Sequence, residues 1–205
     1  MHTPGVDPGA FFMKGGGKVE QDLAALERAC GQCEKCPLCT GRTHLVFGTG
    51  VPDAKIMFVG EGPGMQEDLQ GKPFVGKSGQ LLDQYLSLID LDREKNIYIA
   101  NMVKCRPPQN RDPKPEETEA CLPWLRSQVK LIRPQLIVCL GRIAAQRLIS
   151  PEFRVTKQHG EWIAKGQMTF MGTFHPAALL RNPAQKADAL ADFQKIREWM
   201  RENGM

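Results

Sequence analysis

Apolar and polar positions along this chain change period repeatedly. From Val19, apolar residues recur at helical spacing, with Leu23, Leu26 and Ala29 on one face. Ala54–Gly60 is a short apolar run that ends on glycine and predicts a buried strand. The helical period returns over Ser78–Ile89, where Leu81, Leu82, Tyr85, Leu86 and Ile89 line up. Asn96–Ala100 and Gln135–Leu140 predict two more strands. Between them Pro115–Ile132 predicts a helix, with Glu116 and Glu117 in the first turn, where the positive end of the dipole favours them. Arg142–Ile149 predicts a short helix. Glu161–Ala164 and Met168–Phe174 predict a hairpin around Lys165-Gly166, and Ala184–Arg201 a final amphipathic helix. Strands alternating with helices predict an α/β fold, a mostly parallel sheet covered on both faces. Met1–Lys18, dominated by Gly and Pro and without a period, is expected to be a flexible leader, which leaves residues 19–205 as a single domain.

In such a sheet, ligands bind beyond the carboxyl ends of the strands. The first predicted strand runs into Gly60-Glu61-Gly62-Pro63-Gly64, the second into Asn101, the third into Gly141 and the last into His175-Pro176. Parallel strands would bring Glu61, Asn101 and His175 to one edge. The glycine-rich loop lets backbone approach a ligand, but it has neither Walker nor dinucleotide spacing, and alone it is a tight strand exit. Phe74, between Pro73 and Val75-Gly76, could stack on a flat ligand or plug the core from a loop. His175 stands in a loop at a strand end, which favours a role at a site. Leu179 and Leu180 are core residues, or one of them is an exposed wedge.

Composition adds one unusual fact. Among 205 residues there are seven Cys, an odd number that cannot all pair internally. No secretory segment or long apolar run appears, so a reducing, cytoplasmic setting is expected, where clustered Cys serve as metal ligands. Cys30, Cys33, Cys36 and Cys39 repeat every third residue; Cys105, Cys121 and Cys139 stand apart. Cys139, in an apolar strand, is most simply core. The rest signal zinc or iron–sulfur, through the four N-terminal thiols or through one C-x-x-C pair with Cys105 and Cys121; spacing does not choose. The net charge of +4 permits nucleic-acid binding without demonstrating it.

Taken in order, the Gly60–Gly64 loop, Gly71-Lys72-Pro73-Phe74-Val75-Gly76, Asn101 ahead of Lys104-Cys105-Arg106-Pro107-Pro108, and His175-Pro176-Ala177 resemble the family 4, iron–sulfur uracil-DNA glycosylases of prokaryotes. The resemblance runs from about Cys33 to about Leu180. It implies a three-layer α/β/α sandwich around a central, mainly parallel four-stranded sheet. It also implies a 4Fe–4S cluster held by Cys33 and Cys36, the pair before Gly41-Arg42-Thr43, with Cys105 and Cys121; Cys30 and Cys39 are then extra. By the same resemblance, uracil stacks on Phe74 and is read by the Asn101 amide, which can donate and accept on one face. The backbone at Glu61 and Gly62 contacts uracil, Glu67 faces C5 where a thymine methyl would clash, and His175 faces O2. Leu179 or Leu180 fills the vacated stack, with Arg181 near phosphate.

The implied reaction is hydrolysis of the N-glycosidic bond of a flipped uracil, single- or double-stranded DNA being the partner and a monomer the acting form. His175 supports the leaving anion. Glu61 is the carboxylate that positions water or faces the cationic sugar, with Asp68 as the second candidate. A covalent-trapping relative carries a basic insertion with a His after the second strand; Arg106-Pro107-Pro108-Gln109-Asn110-Arg111 lacks it, so free turnover is expected. The competing reading is a non-catalytic iron–sulfur or zinc protein for electron transfer or nucleic-acid binding, built on the cysteine run.

Overall fold

The computed structural model describes residues 19–205; the leader expected at Met1–Lys18 lies outside them. Six strands form one sheet: β1 (Thr49–Gly50), β2 (Ile56–Gly60), β3 (Ile97–Asn101), β4 (Leu136–Leu140), β5 (Trp162–Lys165) and β6 (Met168–Thr173), in the spatial order β1-β3-β2-β4-β6-β5. The four inner strands are parallel, with Ile56 beside both Ile97 and Leu136, and Leu136 beside Thr169. The two outer strands run antiparallel to their neighbours. The parallel core therefore has the four strands expected, and the sheet has two more at its edges. One of these, β1, spans two residues, too few to show a period; the other, β5, is the outer arm of the hairpin and alternates weakly.

Eight α-helices lie among the described residues: α1 (Val19–Gly31), α2 (Met65–Gln70), α3 (Lys77–Ser87), α4 (Pro115–Ile132), α5 (Arg142–Leu148), α6 (Val155–Gln158), α7 (Pro176–Arg181) and α8 (Lys186–Glu202). Every residue of β2, β3 and β4 is buried, so both faces of the sheet are covered. Neighbouring residues of a strand point to opposite faces, and two contacts locate the layers. Phe58 of β2 stacks on Phe193 of α8, whose ring also meets Tyr85 of α3. Tyr98 of β3, in register with Met57 and so on the other face, meets Gln128 of α4. Helices α3 and α8 thus cover one face and α4, packed on α1, the other.

Helix α4 starts where its sequence predicts. Pro115 opens it, and the Glu117 carboxylate accepts the Lys114 N–H at 2.7 Å and a bidentate Arg111 guanidinium at 2.7 and 2.8 Å. The final helix begins at Lys186 rather than Ala184, because Pro183–Gln185 is a separate 3₁₀ turn. No helix among the described residues is long and apolar enough to cross a membrane.

Candidate active site

A cleft of about 520 Å³ opens at the carboxyl ends of the parallel strands. Glu61 and Gly62 follow β2, Asn101 closes β3, Gly141 follows β4 and His175 follows β6, and all of them line the cleft. Phe74, Glu67 and Arg181 join them from the segments between.

Phe74 holds a left-handed backbone (φ 54°), which costs a β-carbon residue on the order of 1–3 kcal/mol unless its surroundings fix it. They do so here from three sides. Arg93 donates to the Pro73 and Phe74 carbonyls, both at 2.9 Å. One oxygen of Glu67 accepts the Val75 and Gly76 N–H groups, also at 2.9 Å. A β-carbon at Gly79 would lie 1.9 Å from the Phe74 carbonyl oxygen, so glycine admits the loop against α3. The Phe74 ring is thereby held 5.6 Å from the His175 ring. Glu67, expected near C5 of the base, lines the cleft with one oxygen committed to this loop.

Asn101 is 2% exposed, and its amide oxygen has no hydrogen-bond partner among the described residues. Buried acceptors are rarely left unpaired, and Asn101 lines the cleft, from which a ligand or a water can bring the missing donor. Gly60 makes room for it: a β-carbon there would lie 2.5 Å from that oxygen and 2.6 Å from the Phe74 ring edge.

His175 caps α7, its Nδ1 accepting the Ala177 N–H at 3.1 Å. The proton of the neutral ring then sits on Nε2. Burial, helped by Arg181 and opposed by Glu67, pulls its pKa down to about 4, so at neutral pH it is a neutral donor. Glu61 goes the other way. Burial first, then the neighbouring Asp112 carboxyl, raise it to about 7 against the pull of Arg142 and Arg181.

Other expectations are narrowed. Asp68, the second candidate carboxylate, is buried outside the cleft and accepts the Thr43 N–H at 2.9 Å, holding that turn. Leu179, expected as a candidate wedge, is 1% exposed and belongs to the core, whereas Leu180 is 44% exposed. Among the cleft residues that sequence reasoning missed are Asp112, its ion-pair partner Arg142, and Asn110. Arg142, directly after the β4 exit at Gly141, could have been found by the strand-end argument applied to the other strands.

The sequence has known relatives. The family model of the uracil DNA glycosylase superfamily matches residues 47–201. The type-4 uracil-DNA glycosylase of Archaeoglobus fulgidus is 44% identical over 87% of this chain and 93% of its own length. The corresponding protein of Thermotoga maritima is 41% identical over 90% and 98%. The chain belongs to the type-4 uracil-DNA glycosylase family. A type-5 uracil-DNA glycosylase of Pyrobaculum aerophilum is more distant, at 30% over 62% of this chain.

Beside the cleft of this type-4 family member lies a second site. Cys30, Cys33, Cys36, Cys39, Cys105 and Cys121 line one small pocket, all as free thiols. They are not equivalent. The Trp124 indole N–H donates to the Cys33 sulfur at 3.3 Å, Arg42 to Cys105 at 3.4 Å, and the Lys104 backbone N–H to Cys121 at 3.3 Å. Cys36, Cys105 and Cys121 pack with Leu38, Val103 and Trp124 in an apolar cluster apart from the main core, whereas Cys30 packs within that core. Burial pushes the Cys121 thiol up to about 11 and raises those of Cys105 and Cys36, while the N–H donors aimed at Cys121 and Cys105 pull the other way, as donors around thiolate-bound metal centres do. Cys139 is fully buried in β4, as its apolar surroundings predict.

Proposed function

We propose that residues 19–205 form one domain that acts, as a monomer in the cytoplasm, on uracil-containing DNA. It receives a flipped uracil in the cleft and hydrolyses its N-glycosidic bond, leaving an abasic site. The observation that carries this reading is the unpaired, buried Asn101 oxygen in a cleft shared with the Phe74 ring and a neutral His175. Uracil presents an N–H donor between two carbonyl acceptors. The Asn101 oxygen would accept the N3 proton while its amide nitrogen donates to O4. Cytosine reverses that pattern and would leave both groups unsatisfied, a mismatch that excludes ligands strongly.

In the reaction, the bond from C1′ to uracil N1 breaks and its electron pair leaves with the base. His175, donating through Nε2, stabilises the negative charge that gathers at O2. A water oxygen bonds to C1′, and its proton passes to Glu61, whose raised pKa matches a base working near neutrality. Phe74 stacks on the base, Gly62 lets backbone approach it, and Glu67 fixes the Phe74 loop and crowds the C5 side. Leu180 is the candidate wedge, and Arg181 contacts phosphate. Flipping costs a few kcal/mol, least for single strands and mismatches, so both forms of DNA are substrates.

Cys33, Cys36, Cys105 and Cys121 would hold a 4Fe–4S cluster; the N–H donors on three of these sulfurs and the separate packing of the fourth support this set. Bound there, the cluster supplies a cross-link between the segment after α1, the loop after β3 and α4. Release of uracil from a labelled uracil-containing oligonucleotide tests the reading. Uracil release with none from the matching cytosine strand is the expected result; no release from any strand would leave the non-catalytic iron–sulfur or zinc protein in its place.

A further inference from the structure

Three residues separate Asn101, the base-reading end of β3, from Cys105 of the cysteine centre, and the last of them is an almost fully buried lysine. Lys104 is 1% exposed. Its backbone N–H donates to the Cys121 sulfur at 3.3 Å. Its side chain turns back, and Nζ donates to the Asn101 carbonyl at 3.0 Å and to the Gln128 side-chain oxygen at 2.6 Å. Gln128, itself fully buried, is fixed by donating to the Phe47 carbonyl at 3.0 Å and the Tyr98 hydroxyl at 3.3 Å. The residues between are tied to the cleft loop: Met102 N–H donates to the Gly60 carbonyl and Val103 N–H to that of Glu61.

Both side-chain acceptors of Lys104 are uncharged. Burying an ammonium against neutral oxygens and the face of Phe47, 5.8 Å away, is costly, and the neighbouring cysteines, Cys121 and Cys30, are the groups that would balance its charge once a cluster holds such sulfurs as thiolates. A lysine here is therefore more than a spacer: it binds Asn101 and Gln128 on one side and answers the charge of the cysteines on the other. We propose that Lys104 is a positioning residue that couples the cysteine centre to Asn101, so that uracil bound in the cleft and the cluster held by the cysteines each sense the other. The inference rests on the pocket and cluster assigned above. Iron content and uracil affinity of the wild-type protein test that assignment by themselves.

Coupling between two sites is reciprocal. Free uracil titrated into wild-type holoenzyme is expected to displace the cluster-shifted β-proton resonances of Cys121 and Cys105 in the NMR spectrum; resonances that stay in place at saturating uracil overturn the proposal. Lys104→Met is expected to retain its iron, to bind uracil about tenfold more weakly through loss of a charged hydrogen bond, and to lose that displacement. Lys104→Arg should restore part of both. An iron-replete Lys104→Met with wild-type uracil affinity overturns the coupling. If Lys104→Met does not fold, Gln128→Met, which keeps the ammonium but removes one of its anchors, is read in the same way. A purely structural lysine would lower the melting temperature without separating iron content from uracil affinity.

Discussion

In the cleft, three of the candidate residues close a strand or open its exit: Glu61 after β2, Asn101 at the end of β3, His175 after β6. At the cysteine centre the sulfurs come from the segment after α1, the loop after β3 and the first turns of α4, with no shared sheet position. The cleft is assigned by topology, since a parallel sheet delivers its strand ends to one edge. The proposed centre is assigned by what touches each sulfur, since six thiols line it and the proposed cluster takes four. The two regions should therefore fail differently.

The largest expected difference is in metal retention. Cys121→Ala should lose nearly all its iron and visible absorption and melt at a much lower temperature, whereas Cys30→Ala and Cys39→Ala keep both; iron analysis and calorimetry decide. Loss of iron from Cys30→Ala would break the assignment by N–H donors. Next, His175→Ala should lower kcat by about 10²–10³-fold, the usual loss for one donor to a developing anion, with iron and DNA affinity little changed. Equal losses in single-turnover rate and in DNA binding would return His175 to a structural role.

A smaller effect separates the charges of the cleft. With Glu61 raised to about 7, its carboxylate is lost as the pH falls, so kcat/KM should drop tenfold per unit well below that value. His175 stays neutral down to about 4 and does not contribute to this limb. Glu61→Gln should slow the enzyme and flatten the limb. Asp112→Asn should move the midpoint down, by removing a neighbouring negative charge, and Arg142→Gln should move it up. A midpoint that ignores both changes would remove Glu61 as the titrating base. The smallest contrast lies between adjacent leucines. Leu180→Ala should reduce duplex cleavage severalfold while sparing single strands and stability. Leu179→Ala should cost about 2–5 kcal/mol in denaturant unfolding, as core truncations do.

Much of this was legible in the chain itself. The strands that matter are short apolar runs ending on Gly60, Asn101 and Gly141, and their parallel order follows from the helices between them. Leu179 and Leu180 could not be told apart, because α7 spans only Pro176–Arg181, too few residues to display a face. Asp112 was invisible for a different reason. It reaches Glu61 from an irregular loop, and what brings it there is the Arg111–Glu117 clamp at the start of α4 together with its own pairing to Arg142. Neither contact leaves a periodic trace. The cysteines lay between these cases: their spacing signalled a metal site, but the donors from Trp124, Arg42 and Lys104, and for Cys36 its packing, are what distinguish one thiol from another.

Gly60 carries a consequence for how such a pocket can change over generations. Its missing methyl is the space in which the Asn101 oxygen and the edge of Phe74 come together. A single mutation at that codon, to alanine or anything larger, would displace the Asn101 oxygen and the Phe74 ring in one step. Selection has no graded series of smaller side chains to explore there. If Asn101 and Phe74 receive the base as proposed, the route to a new base preference runs through Asn101 or the Phe74 loop, while position 60 stays empty.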